Sequence, residues 1–441
     1  MIIHHATIIT MDPANRILEN GAIRIQGDTI GDIGTSREIL KKYSDPERLD
    51  AKGKILMPGL INAHTHLYSA FARGMTLKDA PPKDFIHILE RLWWRLDNAL
   101  DEEAVRLSAF FPLIQAIRRG TTTLIDHHSS PKAIEGSLNV IAQVYEQMGL
   151  RGVLCYEVSD RDGIAARTKG IEENRRFLEQ CVKTHPSLLR ALFGLHASFT
   201  LSDESLHTCA EIGRSLNAGF HVHCAEAASD LEYARSHFGK TVVERFHDAE
   251  ILGPKTIAAH CVHITDKDMD LLRDTKTNIV HNPRSNMNNA VGCAPVMEMV
   301  KRGIRVCLGT DGMSSDMMDE LKMGILIHKH VAADPRVGWN EMFALLFQNN
   351  ARLASDLFGA KIGAIEKGAK ADAILLDYHP PTPLVPENLF GHILYGFADA
   401  PVDSTIVAGR ILMQNKVIPG INEEELSARA RDVARKVWQR F

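Results

Sequence analysis

Between residues 57 and 365, apolar runs of β-strand character alternate eight times with segments of helical character. The runs are apolar on both faces, which is typical of strands buried on both sides of a parallel sheet. Eight consecutive β/α units predict a closed (β/α)8 barrel of the TIM type in an α/β protein. The predicted strands are Leu60–His64, Thr121–Asp126, Gly152–Glu157, Leu189–His196, Gly219–His223, Thr256–His260, Asn278–His281 and Arg305–Asp311.

The two ends of the chain differ in character from the middle. Residues 1–56 contain short strand-like runs, and residues 366–441 contain similar runs followed by an amphipathic segment that predicts a terminal helix. Neither end has enough apolar sequence for a core of its own. We therefore expect both ends to form one small discontinuous β-sandwich domain, with residues 57–365 as the barrel between its two halves.

The composition argues against several classes of function. The formal net charge is −4 and charged residues make up 24% of the chain, which gives no basis for binding nucleic acid. We expect no membrane span and no secretory signal. The seven cysteines are scattered and form no C-x-x-C pair, which argues against a disulfide framework, a zinc ribbon and a cytidine-deaminase type of zinc site. A reducing, cytoplasmic location is the expectation.

The predicted strands end in histidine or carboxylate residues, at the rim where barrel enzymes place their chemistry. His64 and His66 lie two residues apart at a strand end, so both imidazoles leave the same face, an arrangement that suits a divalent metal such as zinc. The H-x-H pattern recurs at His221–His223 and at His328–His330. The last pair lies in a segment of helical pattern, where residues two apart do not face each other, and we expect it to have a packing or surface role.

Four motifs occur together at the strand ends. H-T-H follows strand one, H-x-x-E follows strand five, a histidine ends strand six and G-T-D-G ends strand eight. This combination resembles the amidohydrolase superfamily, and within it the branch of chlorotriazine hydrolases, guanine deaminases and adenosine-type deaminases. The resemblance covers essentially the whole chain and is greatest to the SsnA-type aminohydrolases, through the segments HTHLYSAFARGM, GTTTLIDHHSSP, HNPRSNMNNAVG and LGTDGMSSDMMDELK.

The resemblance implies a role for each matching residue. It implies that the metal ligands are His64, His66, His223 and Asp311. Asp311 would also accept a proton from the attacking water, and Glu226 would carry this proton to a ring nitrogen or to the leaving amine. His260 would contact the attacking oxygen or the developing tetrahedral centre. An amine on a ring carbon leaves only after protonation, so a general acid is required, and a carboxyl group with a raised pKa suits that role.

The substrate contacts implied by the resemblance are Arg73, His196 and His281. The segment 76–101, which contains two adjacent tryptophans, is expected to cap the pocket. Other polar residues at strand ends are expected to form hydrogen bonds at the rim of the barrel without a part in catalysis, and these are Asp126, His127 and Glu157.

We expect one divalent metal per chain, zinc first and iron as the alternative. Superfamily members with two metals carry a bridging carboxylated lysine on strand four, and here that strand ends in a histidine. The predicted function is hydrolysis of a C–N bond in a purine-, pyrimidine- or triazine-like heterocycle with release of ammonia. The open alternatives are a cyclic amide or imide hydrolase, a hydrolytic dehalogenase and a non-catalytic metal-binding scaffold. The expected partners are a small-molecule substrate and, from the resemblance, a second copy of the chain or a larger homo-oligomer.

Overall fold

The computed structural model describes residues 1–184 and 188–441 of the chain. In this part of the chain the strands are β1 (Ile2–Ile9), β2 (Ile17–Gln26), β3 (Thr29–Thr35), β4 (Arg48–Asp50), β5 (Ile55–Pro58), β6 (Leu60–Thr65), β7 (Thr121–His128), β8 (Arg151–Tyr156), β9 (Leu189–Ala191), β10 (Phe193–Ala197), β11 (Phe220–Cys224), β12 (Ile257–His260), β13 (Asn278–His281), β14 (Val306–Leu308), β15 (Ala373–Leu376), β16 (Val402–Val407) and β17 (Arg410–Met413).

The helices connect these strands and cover the outside of the barrel. The α-helices are α1 (Ser36–Lys42), α2 (Phe85–Ile88), α3 (Trp94–Ala99), α4 (Glu102–Arg118), α5 (Ser137–Met148), α6 (Ile164–Lys183), α7 (Asp203–Ser215), α8 (Ala228–Phe238), α9 (Val242–Asp248), α10 (Asp266–Asp274), α11 (Pro283–Asn288), α12 (Val296–Lys301), α13 (Met317–Ala332), α14 (Trp339–Phe343), α15 (Asn350–Phe358), α16 (Leu389–His392) and α17 (Glu423–Arg440). Short 3-10 helices span Leu67–Ala72, Ser198–Thr200 and Pro386–Asn388, and π-helical turns span Leu89–Trp93, Ala344–Asn349 and Ile393–Phe397.

The middle of the chain forms the predicted barrel. Strands β6 to β9 pair in parallel in sequence order, and strands β10 to β14 do the same. Parallel bridges between Val158 and Leu195 and between Thr65 and Asp311 join the two sheets and close the ring. The prediction of a (β/α)8 barrel is thus confirmed, with the fourth predicted strand present as two pieces, β9 and β10, on either side of Leu192.

The close approach of β6 and β14 depends on a glycine. A Cβ atom on Gly309 would lie 2.8 Å from the backbone nitrogen of His64 and 2.7 Å from a side-chain atom of Val280. Both separations are too short for a real contact, so only a residue without a side chain lets the last strand come this near to the first. This approach brings the residues after β14 to the carboxyl end of β6.

The two ends of the chain form one sheet of eight strands. Its order is β17-β16-β15-β5-β1-β2-β3, with β4 paired to the start of β1 on the same edge as β5, and strands from both termini are hydrogen-bonded neighbours. Side chains from β1, β2, β15 and β16 share a core that is separate from the core around the barrel. The turn at Gly409 packs against the turn at Gly27, which shows that the sheet folds over on itself. The predicted composite β domain therefore forms from both termini.

The C-terminal helix α17 packs beside the carboxyl face of the barrel. The indole Nε1 of Trp438 donates a hydrogen bond of 2.8 Å to the carbonyl oxygen of Phe71, and Nε of Arg440 donates one of 2.9 Å to the carbonyl of Ala99. Phe71 lies in the 3-10 turn after β6, and Ala99 lies at the end of α3. The terminal helix thus fixes two segments that reach the candidate site described below.

We expect residues 1–56 and 366–441 to be inseparable from each other in folding. A fragment of residues 57–365 would expose the apolar edge that the composite sheet covers, and neither terminal half retains a full set of strand partners. The fragment should lack the cooperative thermal unfolding of the full chain in differential scanning calorimetry. A soluble fragment with the transition temperature of the full chain would contradict this division into domains.

A buried ion pair joins the barrel to the small sheet and should be important for stability. Nε of Arg151 lies 2.5 Å from Oδ2 of Asp372, and both side chains are at most 4% exposed. In the Asp372→Asn variant the buried guanidinium has no anionic partner, which should lower the free energy of unfolding by about 3–5 kcal/mol. Urea denaturation measures this change.

The matched control is Asp356→Asn, which removes the anionic partner of Arg305. That pair is 2.7 Å apart, but the Asp356 side chain is 54% exposed. Exposed pairs contribute about 0–1 kcal/mol, so the control should change the urea midpoint little. Equal losses in the two variants would show that the buried pair has no special role in joining the barrel to the sheet.

Candidate metal centre and active site

The carboxyl ends of four barrel strands bring histidine and aspartate side chains to one centre. Nε2 of His66 lies 3.1 Å from Nε2 of His223 and 3.0 Å from Oδ1 of Asp311. Nε2 of His64 lies 3.5 Å from the same Oδ1. Four residues also form a compact group in which one side-chain nitrogen or oxygen atom of each lies within 4.8 Å of the corresponding atoms of the other three. These residues are His64, His223, His260 and Asp311.

Neighbouring groups fix which ring nitrogen of each histidine faces this centre. Nδ1 of His66 lies 2.6 Å from the carbonyl oxygen of His127, and Nδ1 of His223 lies 2.9 Å from that of His196. A carbonyl can only accept, so both Nδ1 atoms carry hydrogen, and Nε2 of His223 presents a lone pair. Burial acts to lower the pKa of His66, but Asp311 and Glu157 outweigh it and raise this pKa well above the ordinary value, so Nε2 of His66 presents a lone pair only once its proton has been displaced. Nδ1 of His64 contacts Nε2 of His221 at 2.8 Å. This outer layer of hydrogen bonds is the usual support of metal-binding imidazoles.

The donor set fits a divalent metal ion. Imidazole nitrogens and one carboxylate are the ligands that zinc and related ions bind in proteins. The Nε2 atoms of His64 and His260 are buried and form no hydrogen bond to any residue that the structure describes. Buried polar atoms without a partner are costly, and a metal ion at the centre would satisfy both. His260, expected only as a catalytic contact, therefore also lies among the possible ligands.

The backbone is strained where it positions these side chains. His260 has φ 74°, Cys261 φ 50°, Ala225 φ 47° and Asp311 φ 52°, all in the left-handed region that side chains disfavour. Left-handed residues other than glycine persist only where the surrounding structure holds them, and they cluster at functional sites. At Asp311 the holding contact is a hydrogen bond of 3.0 Å from its N–H to the carbonyl oxygen of His64.

The electrostatic environment sets the protonation of the possible ligands. Burial lowers the pKa of His64 to about 4, that of His223 well below its ordinary value, and also that of His260. These three imidazoles are therefore neutral at pH 7, as metal binding requires. For Asp311, burial acts to raise the pKa, but the neighbouring imidazoles of His64 and His66 outweigh it and hold the pKa well below the ordinary value.

Glu226 lies in the loop after β11, next to the histidine centre. Its Oε2 lies 3.4 Å from Nε2 of His260, and its Oε1 accepts a hydrogen bond of 3.3 Å from Asn289. Its backbone N–H donates to Oδ2 of Asp230 at 3.0 Å, which holds the loop in place. Burial and the negative charge of Asp311 raise the pKa of Glu226 well above its ordinary value. A raised pKa suits this carboxyl group to the role of an acid.

A pocket of about 710 Å³, which includes its open mouth, leads from the surface to this centre. The predicted cap segment supplies Phe85, Leu89, Trp93 and Trp94 to the aromatic and apolar walls, and Tyr68, Phe199 and Met313 complete them from other parts of the barrel rim. The polar wall includes His66, Glu157, Arg161, His196, His223, Glu226 and Asp311. Segment 76–101 therefore caps the pocket, as the sequence predicts.

The three residues that the sequence predicts as substrate contacts do not all line the pocket. His196 lines the pocket, and its Nδ1 lies 2.7 Å from Oγ1 of Thr200. Arg73 is exposed and lines a neighbouring groove, and its Nη2 donates a hydrogen bond of 3.2 Å to Oε1 of Gln115. His281 is buried with its Nε2 3.2 Å from Nε2 of His328, so it packs against α13 rather than forming the pocket wall. His328 is the packing residue that its helical pattern predicts.

Several groups at the site did not follow from the motifs. Arg161 carries the one permanent positive charge among the described residues that line the pocket, and its guanidinium is paired with Asp97 and lies over the ring of Trp94. Ser285 donates a hydrogen bond to Oδ2 of Asp311. Ser285 could have been predicted as a site residue, because it lies in the segment HNPRSN directly after strand seven. Arg161 could not, because nothing in its sequence context distinguishes it from other residues of the loops.

Among residues 1–184 and 188–441, none of the helices has both the length and the hydropathy that crossing a membrane requires.

Comparisons with known proteins agree with this geometry. Residues 55–412 match the model of the amidohydrolase family. A 5-methylthioadenosine/S-adenosylhomocysteine deaminase of Acetivibrio thermocellus is 31% identical over 99% of both chains. A 5'-deoxyadenosine deaminase of Methanosarcina mazei is 31% identical over 100% of this chain and 99% of the relative. An adenosine deaminase structure from Xanthomonas campestris with bound zinc shares the fold, with a TM-score of 0.87 and 21% identity over 99% of this chain and 98% of that one. The chain therefore belongs to the amidohydrolase family and is an enzyme.

Proposed function

We propose that the enzyme removes an amino group from a heterocyclic substrate by hydrolysis and releases ammonia. The observation that carries this proposal is the position of two carboxyl groups at one centre, with Oδ1 of Asp311 3.0 Å from Nε2 of His66 and Oε2 of Glu226 3.4 Å from Nε2 of His260. His64 and His66 lower the pKa of Asp311, although burial acts to raise it, whereas burial and the charge of Asp311 both raise the pKa of Glu226. A base and an acid at the same centre are what hydrolytic deamination requires.

The residues of the chain divide the steps of this reaction among them. When bound, a divalent metal supplies Lewis acidity and makes water a nucleophile at neutral pH. Asp311 accepts the proton of the attacking water. Glu226 donates a proton to the ring nitrogen or to the leaving amine, which could not leave as an anion. His260 is held by a contact of 2.8 Å between its Nδ1 and Oδ1 of Asn286, and its Nε2 faces Glu226 at 3.4 Å and Asp311 at 4.0 Å, where it would contact the attacking oxygen or the tetrahedral centre.

The walls of the pocket support a planar heterocycle as the substrate. The rings of Trp93, Trp94 and Phe85 line the outer part, and aromatic rings stack favourably on flat heterocycles. The relatives that are 31% identical over nearly the whole chain are named for deamination of adenine nucleosides. A purine-like substrate is therefore the first expectation, with pyrimidines and triazines next. Ammonia release across a panel of aminated heterocycles, with cyclic amides and halogenated triazines included, tests the reaction class.

We expect one divalent metal ion per chain, bound by His64, His66, His223 and Asp311, with zinc as the first candidate. The feature that supports this number is the histidine that ends the fourth strand, where superfamily members with two metals carry a bridging lysine. Metal analysis of enzyme purified without chelator should give about one equivalent. Two equivalents found reproducibly would overturn the assignment.

The Glu226→Gln variant separates the acid from the metal ligands. It keeps the size of the side chain but removes the titrating proton, so turnover should fall by roughly 10²–10⁴-fold. The loss should occur in kcat with little change in KM, because the proton is needed in the transition state. Metal content should match that of the wild type. By contrast, His223→Ala removes a ligand and should lose both metal and activity.

The control for this pair is Glu232→Gln, the same chemical change at an exposed position of α8. It should retain both metal and turnover. Loss of metal in Glu226→Gln would show that Glu226 is a ligand. Full activity in that variant on a true substrate would show that the proton takes another route.

A further inference from the structure

Glu157 is a carboxylate surrounded by imidazoles. It follows β8, and only 4% of the residue is exposed. Its Oε1 lies 3.1 Å from Nδ1 of His66 and 3.4 Å from Nδ1 of His127, and its Oε2 lies 3.9 Å from Nε2 of His196. Its backbone N–H donates to the carbonyl oxygen of His128 at 2.8 Å, which fixes the residue at the rim of the barrel.

His66 lies between two carboxylates. Its Nε2 lies 3.0 Å from Asp311 at the metal centre, while Glu157 is on the opposite, Nδ1 side of the ring. The hydrogen on Nδ1 is directed at the carbonyl oxygen of His127, and Oε1 of Glu157, which forms no hydrogen bond to any residue that the structure describes, acts on the ring through its charge. A carboxylate on the far nitrogen of a metal-binding imidazole fixes the orientation of the ring and makes it a better donor.

The charge of Glu157 requires a positive partner. In the described part of the chain it forms no ion pair with a lysine or an arginine, and its close partners are all histidines. An ionised carboxylate buried without a cation is costly. Three neutral imidazoles, one aspartate and a divalent ion leave a net charge of +1 at the centre, and Glu157 balances this charge across the ring of His66.

We infer that Glu157 is a positioning residue that strengthens metal binding through His66, rather than a simple hydrogen-bonding residue of the barrel rim. This inference rests on the proposed metal-dependent function. It assigns to Glu157 no contact with the substrate and no proton transfer. Its effect should therefore appear first in the affinity for metal.

The test compares Glu157→Gln with the wild type. The amide keeps an oxygen near Nδ1 of His66 but removes the charge, so the affinity for zinc should fall by roughly 10–100-fold. Competition with a chromophoric chelator measures this affinity without any substrate. At saturating zinc, kcat and KM should return close to their wild-type values.

Two controls make the result specific. Glu173 is equally buried in α6 and accepts hydrogen bonds of 3.0 Å from the N–H groups of Gly136 and Leu138. Glu173→Gln should leave the affinity for zinc unchanged, whatever its effect on stability. Glu226→Gln removes a carboxylate from the same pocket but not from His66, and it should also keep the wild-type affinity for zinc.

Other results would overturn the inference. An unchanged zinc affinity in Glu157→Gln would do so, and so would a raised KM that persists at saturating zinc, because this would make Glu157 a substrate contact. If Glu157→Gln does not fold, Glu157→Asp keeps the charge but withdraws it by one methylene, and its zinc affinity should lie below that of the wild type. A wild-type enzyme that binds zinc but releases no ammonia from any heterocycle would refute the proposed function while leaving this test intact.

Discussion

The contact that closes the barrel also assembles the site. The N–H groups of Thr310 and Asp311 both donate to the carbonyl oxygen of His64, each at 3.0 Å. The side chain of Asn62 reinforces the junction, because its Nδ2 donates to Oγ1 of Thr310 at 2.7 Å and its Oδ1 accepts from the backbone of Thr310 at 3.1 Å. These bonds join the first barrel strand to the segment after the last one. Asp311 can therefore reach the imidazoles only in the closed barrel, so that folding and assembly of the site are one event.

The site is unfavourable to folding in several ways that its function explains. Imidazoles are buried without full hydrogen bonding, and residues such as His260 and Asp311 hold left-handed backbone. Each of these features costs free energy, and proteins retain such features where function needs them. The rest of the barrel offsets the cost with a close-packed core on both faces of the strands. A metal ion that binds only the folded state would add to the stability by mass action.

The strand ends could be predicted from the sequence, but the directions of side chains beyond them could not. Alternation of strand and helix gave the eight barrel strands, and the H-x-H spacing placed His64 and His66 on one face. Arg73 follows a 3-10 turn that carries the chain outward, and no periodicity indicates that turn. Glu157 has the same sequence signature as an ordinary rim residue, and only its distance of 3.1 Å from His66 sets it apart. Loop geometry and pairwise distance are tertiary properties, which one-dimensional patterns do not contain.

The pKa values of three carboxyl groups at the centre shift in different directions because their neighbours differ. Burial acts to raise the pKa of Glu157 and of Asp311, but the neighbouring histidines outweigh it and lower the pKa of both. Glu226 has no such donor beyond the amide of Asn289, and the charge of Asp311 acts in the same direction as burial, so its pKa rises. Groups whose environments separate their pKa values in this way divide into acid and base. Two of the carboxylates thus lie among imidazoles that lower their pKa, and Glu226 is the one whose pKa is raised, which is why we assign it the role of acid in the proposed reaction.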